Sequence, residues 1–213
     1  MKGRGYGPAP ARDDRVAGEE EPMADEHYCE CGCGCIPAKV GEPAPDFTMH
    51  TTADLETLEA TASLVNYRGK WLVLFFYPLD FTFVCPTEIT ALGDRYGDFT
   101  ALNADILGVS TDSVYSHRVW LKTPRDQNGI AGVPYPLASD ITKEVAASYG
   151  VLVEEAGIAL RGLFLIDPDG ILQYSVIHNL NIGRSVEETL RVLEALQSGG
   201  LCPANWTPGE PTI

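Results

Sequence analysis

No apolar run in this 213-residue chain approaches the ~20 residues that a membrane-spanning helix needs. Basic residues are scarce: 15 Lys and Arg stand against 30 Asp and Glu, a formal charge of −15. That argues against nucleic-acid binding, where a basic patch is expected. It leaves a solvated acidic surface as the plain reading and steering toward a basic partner as the alternative. Cysteine is absent from most of the chain, for the six fall at 29, 31, 33, 35, 85 and 202. This is not the spread of a small disulfide-stapled secreted domain. The first residues lack the apolar core of a secretory signal. These absences lead to the expectation of a reducing, cytoplasmic setting, where a cysteine pair is catalytic or metal-binding rather than structural. His50, His117 and His178 show no metal or triad spacing and read as core or surface residues.

What is present suits a globular domain: 45% of the residues are hydrophobic and 21% charged, with length enough for one well-packed core. Lys70 to Tyr77 (KWLVLFFY) is a nearly continuous apolar run rich in β-formers, which predicts a strand buried on both faces. Before it, 47–69 read as a hairpin and loop entered through the Pro-rich 40–46. After it, a helix is expected from Cys85 to about Phe99, a buried strand over 104–110, a helix over 113–122 and a Gly/Pro loop over 123–134. A short strand at 135–138 and a helix at 142–149, ended by Gly150, follow. Strands 158–166 and 171–177 flank Asp167-Pro168-Asp169-Gly170, a hairpin turn. The last helix spans 185–197, with Ser185 as N-cap and Glu188 as its capping-box partner. Alternating strands and helices with one terminal hairpin give an α/β layered domain over 39–197. Residues 1–38 read as a disordered, cysteine-rich tail and 198–213 as a Gly/Pro-rich arm. Met23 is an alternative start to Met1.

One segment carries chemistry. In Phe76 to Glu88 (FYPLDFTFVCPTE) a strand gives way to a helix at Cys85. Ile89, Leu92, Tyr96 and Phe99 recur at helical spacing, and Pro86 suits a first helical turn. Free N–H groups and the helix dipole favour a thiolate there, and the thiolate is the nucleophile. Arg161 within an apolar strand needs a partner, because an unpaired buried charge is costly. Arg184, just before a helix start, is badly placed for that dipole and also implies a partner elsewhere. Thr82 alone would read as a turn or cap residue, Pro78 as a strand end and Glu88 as a capping acid.

Pro78, Thr82 and Cys85 spell Pro-x-x-x-Thr-x-x-Cys, and this segment resembles the active-site signature of the peroxiredoxins, the thiol peroxidases. GVSTDS (108–113), RGLFLIDPDG (161–170), NIGRSVEETL (181–190) and LCPANWTPGE (201–210) resemble segments of the typical two-cysteine members, over about Val40 to Ile213. The resemblance implies a thioredoxin-like fold with an N-terminal extension and a C-terminal arm. It implies that Cys85 attacks hydrogen peroxide or an organic hydroperoxide, Thr82 bonds the peroxide oxygen and the sulfur, Pro78 shields the sulfur, and Arg161 orients the peroxide. Glu88 and Arg184 would hold Arg161. Cys202 would resolve the Cys85 sulfenic acid, by family habit across an antiparallel homodimer, five of which often form a ring. Thioredoxin would reduce the disulfide, and no cofactor is expected. A holdase chaperone and a redox relay to a partner protein are competing functions.

Two departures stand out. The loop reading Gly-Gly-Leu-Gly in the sensitive eukaryotic members is Asn128-Gly129-Ile130-Ala131-Gly132 here, and the chain ends at Pro211-Thr212-Ile213 without a Tyr-Phe helix. Resistance to over-oxidation is therefore expected. Cys29, Cys31, Cys33 and Cys35, near His27, have no counterpart in that pattern. They are weak candidates for a thiophilic metal or for disulfide exchange, lacking the two separated pairs of common zinc sites, and a labile tail is the plain alternative.

Overall fold

The central apolar run becomes the middle of a sheet because its side chains alternate between two cores. In the computed structural model, which describes residues 37–213, Leu72, Leu74 and Phe76 enter one cluster while Val73, Phe75 and Tyr77 enter the other. All six are no more than 1% exposed, as a period of two requires of a strand covered on both faces.

The strands and helices follow in the order β1 (Thr48–Thr51), β2 (Thr61–Ser63), β3 (Trp71–Phe76), α1 (Cys85–Asp94), α2 (Tyr96–Ala101) and β4 (Ala104–Ser110). Then come α3 (Val114–Lys122), β5 (Leu137–Ser139), α4 (Glu144–Ser148), β6 (Leu152–Val153), β7 (Ile158–Ala159), β8 (Arg161–Ile166), β9 (Leu172–His178) and α5 (Val186–Ser198). Seven strands form one sheet in the order β2-β1-β5-β4-β3-β8-β9, and β6 and β7 form a separate ladder. The centre is parallel, β3 with β4 and β4 with β5. The flanks are antiparallel. Helices α1, α3 and α5 cover one face through Ile89, Leu92, Trp120, Leu190 and Leu193. Phe47, Met49 and α4, through Val145 and Ala146, cover the other. This is the α/β layered fold expected.

Several expected boundaries move, each for a local reason. The helix from Cys85 does not run unbroken to Phe99. It breaks at Arg95 (φ −105, ψ 12), whose carbonyl restarts α2 by accepting from Asp98 and Phe99. The strand expected over 158–166 divides at Leu160, whose N–H is taken by Val151 O at 2.8 Å, so that β7 pairs with β6 and β8 joins the main sheet. Helix α4 starts later than 142 because Asp140 caps it, accepting from the N–H of Val145 (3.2 Å) and Ala146 (2.7 Å). The short strand at 135–138 lies instead at Leu137–Ser139. Ser185 caps α5 as expected, accepting from Glu188 N at 3.1 Å. The reciprocal half of the capping box is missing, since the Glu188 carboxylate receives Arg191. No helix among the described residues is long and apolar enough to cross a membrane.

Candidate active site

Strand β3 stops before Pro78, and residues 77–84 turn back over α3 before the chain enters α1. Cys85 is the first residue of α1, with Val84 as N-cap and Pro86 behind it. A ten-residue helix aims its free N–H groups and positive dipole end at this point. The Cys85 side chain is fully buried.

Arg161 opens β8 and shares its parity with Leu163 and Leu165, so it points to the same face as Cys85. Its Nη1 lies 3.4 Å from Cys85 Sγ and donates to Glu88 Oε2 at 2.6 Å. Its Nε donates to Leu180 O at 2.8 Å. Arg184 grips Glu88 from the other side through its backbone N (2.7 Å), Nε (2.8 Å) and Nη2 (3.2 Å). Its Nη1 donates to the carbonyls of Phe76 at 2.9 Å and Gly162 at 2.5 Å, and its guanidinium lies over the Phe75 ring. Glu88 is thus the hub of a buried ion-pair network rather than a surface capping acid. Burial pushes its carboxyl up, but the hydrogen bonds and charge of Arg184, with the charge of Arg161, outweigh burial and hold it below the ordinary carboxylate value. Two guanidinium groups and one carboxylate leave one excess positive charge beside the Cys85 sulfur.

Pro78 is buried and Thr82 half-buried, both in the loop that leads from β3 to Cys85. The Thr82 hydroxyl donates to Leu79 O at 3.0 Å and not to the sulfur. Its lone pairs remain available to accept a hydrogen from an incoming O–H group.

Cys202 does not join this cluster. It lies in the arm after α5, its sulfur 3.4 Å from Ser198 Oγ and 3.8 Å from Ala195 O. The arm is held there by Trp206, which is buried and whose carbonyl accepts from Arg191 Nη1 at 3.0 Å. The start of α5 is beside Glu88 and its end is beside Cys202. Thirteen residues at about 1.5 Å each separate the two, and a disulfide needs Cα atoms within about 7 Å. Both thiols are free. Cys29, Cys31, Cys33 and Cys35 lie outside the described residues, among which no group of three or more His, Cys, Asp or Glu is placed to hold a metal.

The sequence reading missed a second polar network, behind the Cys85 loop. Asp80 accepts from the Tyr77 hydroxyl (2.9 Å) and from Ser116 Oγ (2.7 Å), and pairs with His117 Nδ1 at 2.8 Å. His117 Nε2 faces the Ala138 carbonyl at 3.2 Å, so both ring nitrogens meet oxygen acceptors. Asp112 accepts from Asp80 N at 2.9 Å and Ser110 Oγ at 2.7 Å. Its carboxyl is pushed up by burial and by the neighbouring Asp80 charge. Burial likewise holds the Tyr77 phenol well above its ordinary value, so it stays a donor. The available signal was Asp80 itself, an acid inside an apolar segment.

Known proteins with the same features now bear on the chain. A family model described as "AhpC/TSA family" matches residues 40–175, and one described as "C-terminal domain of 1-Cys peroxiredoxin" matches 195–213. "Putative peroxiredoxin YkuU" of Bacillus subtilis is 54% identical over 175 residues, 82% of this chain and 97% of its own. "2-Cys peroxiredoxin BAS1, chloroplastic" of Spinacia oleracea is 53% identical over 179 residues, 82% of this chain and 67% of its own. Among solved structures, reduced Plasmodium vivax 2-Cys peroxiredoxin superposes with a TM-score of 0.78 at 41% identity, covering 83% of this chain and 93% of its own.

Proposed function

Because the chain belongs to the AhpC/TSA family of peroxiredoxins and is thereby a peroxidase, we propose that Cys85 is its peroxidatic nucleophile, Cys202 its resolving thiol, and thioredoxin or a similar dithiol its reductant. The observation that carries the reading is the Arg161 guanidinium 3.4 Å from a buried sulfur at a helix N-terminus.

The Cys85 thiolate attacks one oxygen of hydrogen peroxide or an organic hydroperoxide. The S–O bond forms as the O–O bond breaks, giving a sulfenic acid on Cys85 and water or an alcohol once the leaving oxygen takes a proton. Charge moves from sulfur to the departing oxygen, so the fixed positive charge must reach both. Arg161 suits that task, because a planar guanidinium presents several donors in a rigid fork. Glu88 and Arg184 lock its position, Thr82 receives the peroxide O–H, and Pro78 keeps water from the sulfur.

Cys202 then condenses with the sulfenic acid, forming an S–S bond and releasing water. The length of α5 between the two thiols supports a bond between subunits of a homodimer, with a ring of dimers as the larger assembly. The compartment we propose is a reducing one such as the cytoplasm; some relatives carry a chloroplastic name. Trapping with a sulfenic-acid reagent tests the first step. One equivalent of peroxide should label Cys85 in the Cys202→Ser protein and nothing in Cys85→Ser. Equal labelling of both proteins would sink the assignment.

A further inference from the structure

The resolving step needs a proton carrier, and the ion-pair network around Cys85 has none. Condensation requires the Cys202 thiol to lose a proton and the hydroxyl on the Cys85 sulfur to gain one. A cysteine of ordinary acidity is only about 3% thiolate at pH 7. Arg161 and Arg184 do not release protons at any ordinary pH. Glu88 is committed to both and stays ionised, held below the ordinary carboxylate value.

His178 is the group that remains. It ends β9 and lies directly opposite Arg161 in the ladder. Opposite residues of an antiparallel pair share a face, with Cβ atoms about 5 Å apart. The imidazole therefore stands beside Arg161, on the side of the sheet that carries Cys85. Its Nδ1 is, among the described residues, the one buried side-chain nitrogen or oxygen with no hydrogen-bond partner. Buried polar groups in native proteins are nearly all paired, and His117 uses both of its ring nitrogens. The chain just beyond His178 serves the site as well: Leu180 O receives Arg161 Nε and Arg184 N binds Glu88. The residue is half-buried rather than enclosed. Strand β9 is the edge of the sheet, its outer side paired with no strand of this chain, which leaves this side of the site open to a second copy.

We propose that His178 Nδ1 is the catalytic base, and then the acid, of the resolving step, and that the partner it lacks is the incoming Cys202 thiol. Nδ1 takes the proton of the Cys202 S–H. The thiolate attacks the Cys85 sulfur, and the S–S bond forms as the S–O bond breaks. The leaving hydroxide takes the proton back from Nδ1 and departs as water, so no further reactant is consumed. Imidazole suits both transfers, being the side chain that ordinarily changes charge between about pH 5 and 8. The charged and titratable groups on its face are Arg161 on β8, Cys85 and Glu88 on α1, Arg184 before α5 and Tyr174 on β9. The inference rests on the assignment of Cys85 and Cys202 above.

The test mixes full-length reduced protein with one equivalent of hydrogen peroxide and follows sulfenic acid and disulfide separately, by acid quench and mass spectrometry. Wild type is compared with His178→Asn, whose amide can hydrogen-bond near the δ position but carries no proton, and with His178→Ala. At pH 7 disulfide formation should slow about thirtyfold in both, the factor by which an ordinary thiol falls short of full ionisation there. Sulfenic acid formation should slow far less. The deficit should shrink as pH rises past about 8.5, where the thiol ionises unaided, and added imidazole should restore His178→Ala. Wild-type rates and pH profiles in both variants overturn the proposal. So does a deficit of the same size at every pH, which is what a structural role would give. If the wild type forms sulfenic acid on Cys85 but no Cys85–Cys202 disulfide, the reading of Cys202 falls first and the base with it.

Discussion

Glu88 shows how much of the site depends on one side chain. It receives four hydrogen bonds from two arginines and is almost wholly buried. Replacing it by Gln keeps the shape but leaves two guanidinium groups uncompensated, which is expected to destabilise the fold by about 3–5 kcal/mol at neutral pH. The pH dependence has a definite sign. A carboxyl held below its ordinary value stabilises the fold above that value, and this contribution is lost as pH falls through the lowered one. The gap in urea stability between wild type and Glu88→Gln should therefore be full above about pH 5 and narrow as acid is added. A gap that widened in acid would contradict the network. Arg161→Lys keeps the charge but loses the fork that reaches both Cys85 and Glu88. We expect a fall of about 10²–10³ in the rate of Cys85 oxidation by peroxide, measured by stopped-flow fluorescence. These residues were legible in the sequence through their matching segments and through the oddity of charges in apolar runs. His117 was not, because its partner lies 37 residues away in sequence and no local period marks it.

Elements with one dominant period were the legible ones. Strand β4 was expected over 104–110 and lies at Ala104–Ser110, and α5 was expected over 185–197 and lies at Val186–Ser198. Elements decided by tertiary partners were not. At Arg95 the chain turns (φ −105, ψ 12), and its side chain pairs with Asp98 and with Glu187 of α5. The division at Leu160 reflects a hydrogen bond to Val151. Close approach between elements also escapes sequence reading. Gly108, in the middle of β4, lets Phe75 and Leu137 pass: a Cβ there would lie 2.7 Å from each side chain. Both neighbours are fully buried and cannot swing aside. Gly108→Ala should thus destabilise the protein by roughly 1–3 kcal/mol through overpacking, despite the better strand propensity of alanine. Chemical denaturation reads this directly, and a neutral or stabilised variant would show that the core gives more easily than its packing implies.

At the scale of the whole molecule, the two thiols are placed so that one chain cannot complete the proposed cycle alone. Cys202, its sulfur against Ala195 O and Ser198 Oγ, lies about 14–18 Å along α5 from the end that meets Glu88. Local opening at Cys85 moves a single turn, about 5 Å of rise, and does not close that gap. The arm itself is held by Arg191 and the buried Trp206. A second copy that presents its own arm to Cys85 removes the problem. A symmetric, isologous dimer then supplies two such sites at once. This predicts the outcome of a mixing experiment. Cys85→Ser and Cys202→Ser proteins, each unable to form the bond alone, are combined, allowed to exchange subunits and treated with one equivalent of peroxide. Each mixed dimer pairs one intact Cys85 with one intact Cys202, so a single disulfide and a covalent dimer should appear on a non-reducing gel. Neither protein should give that band by itself. Were the bond to form within one chain, the mixture would stay monomeric on the gel, and the arm would have to leave α5 to reach the site.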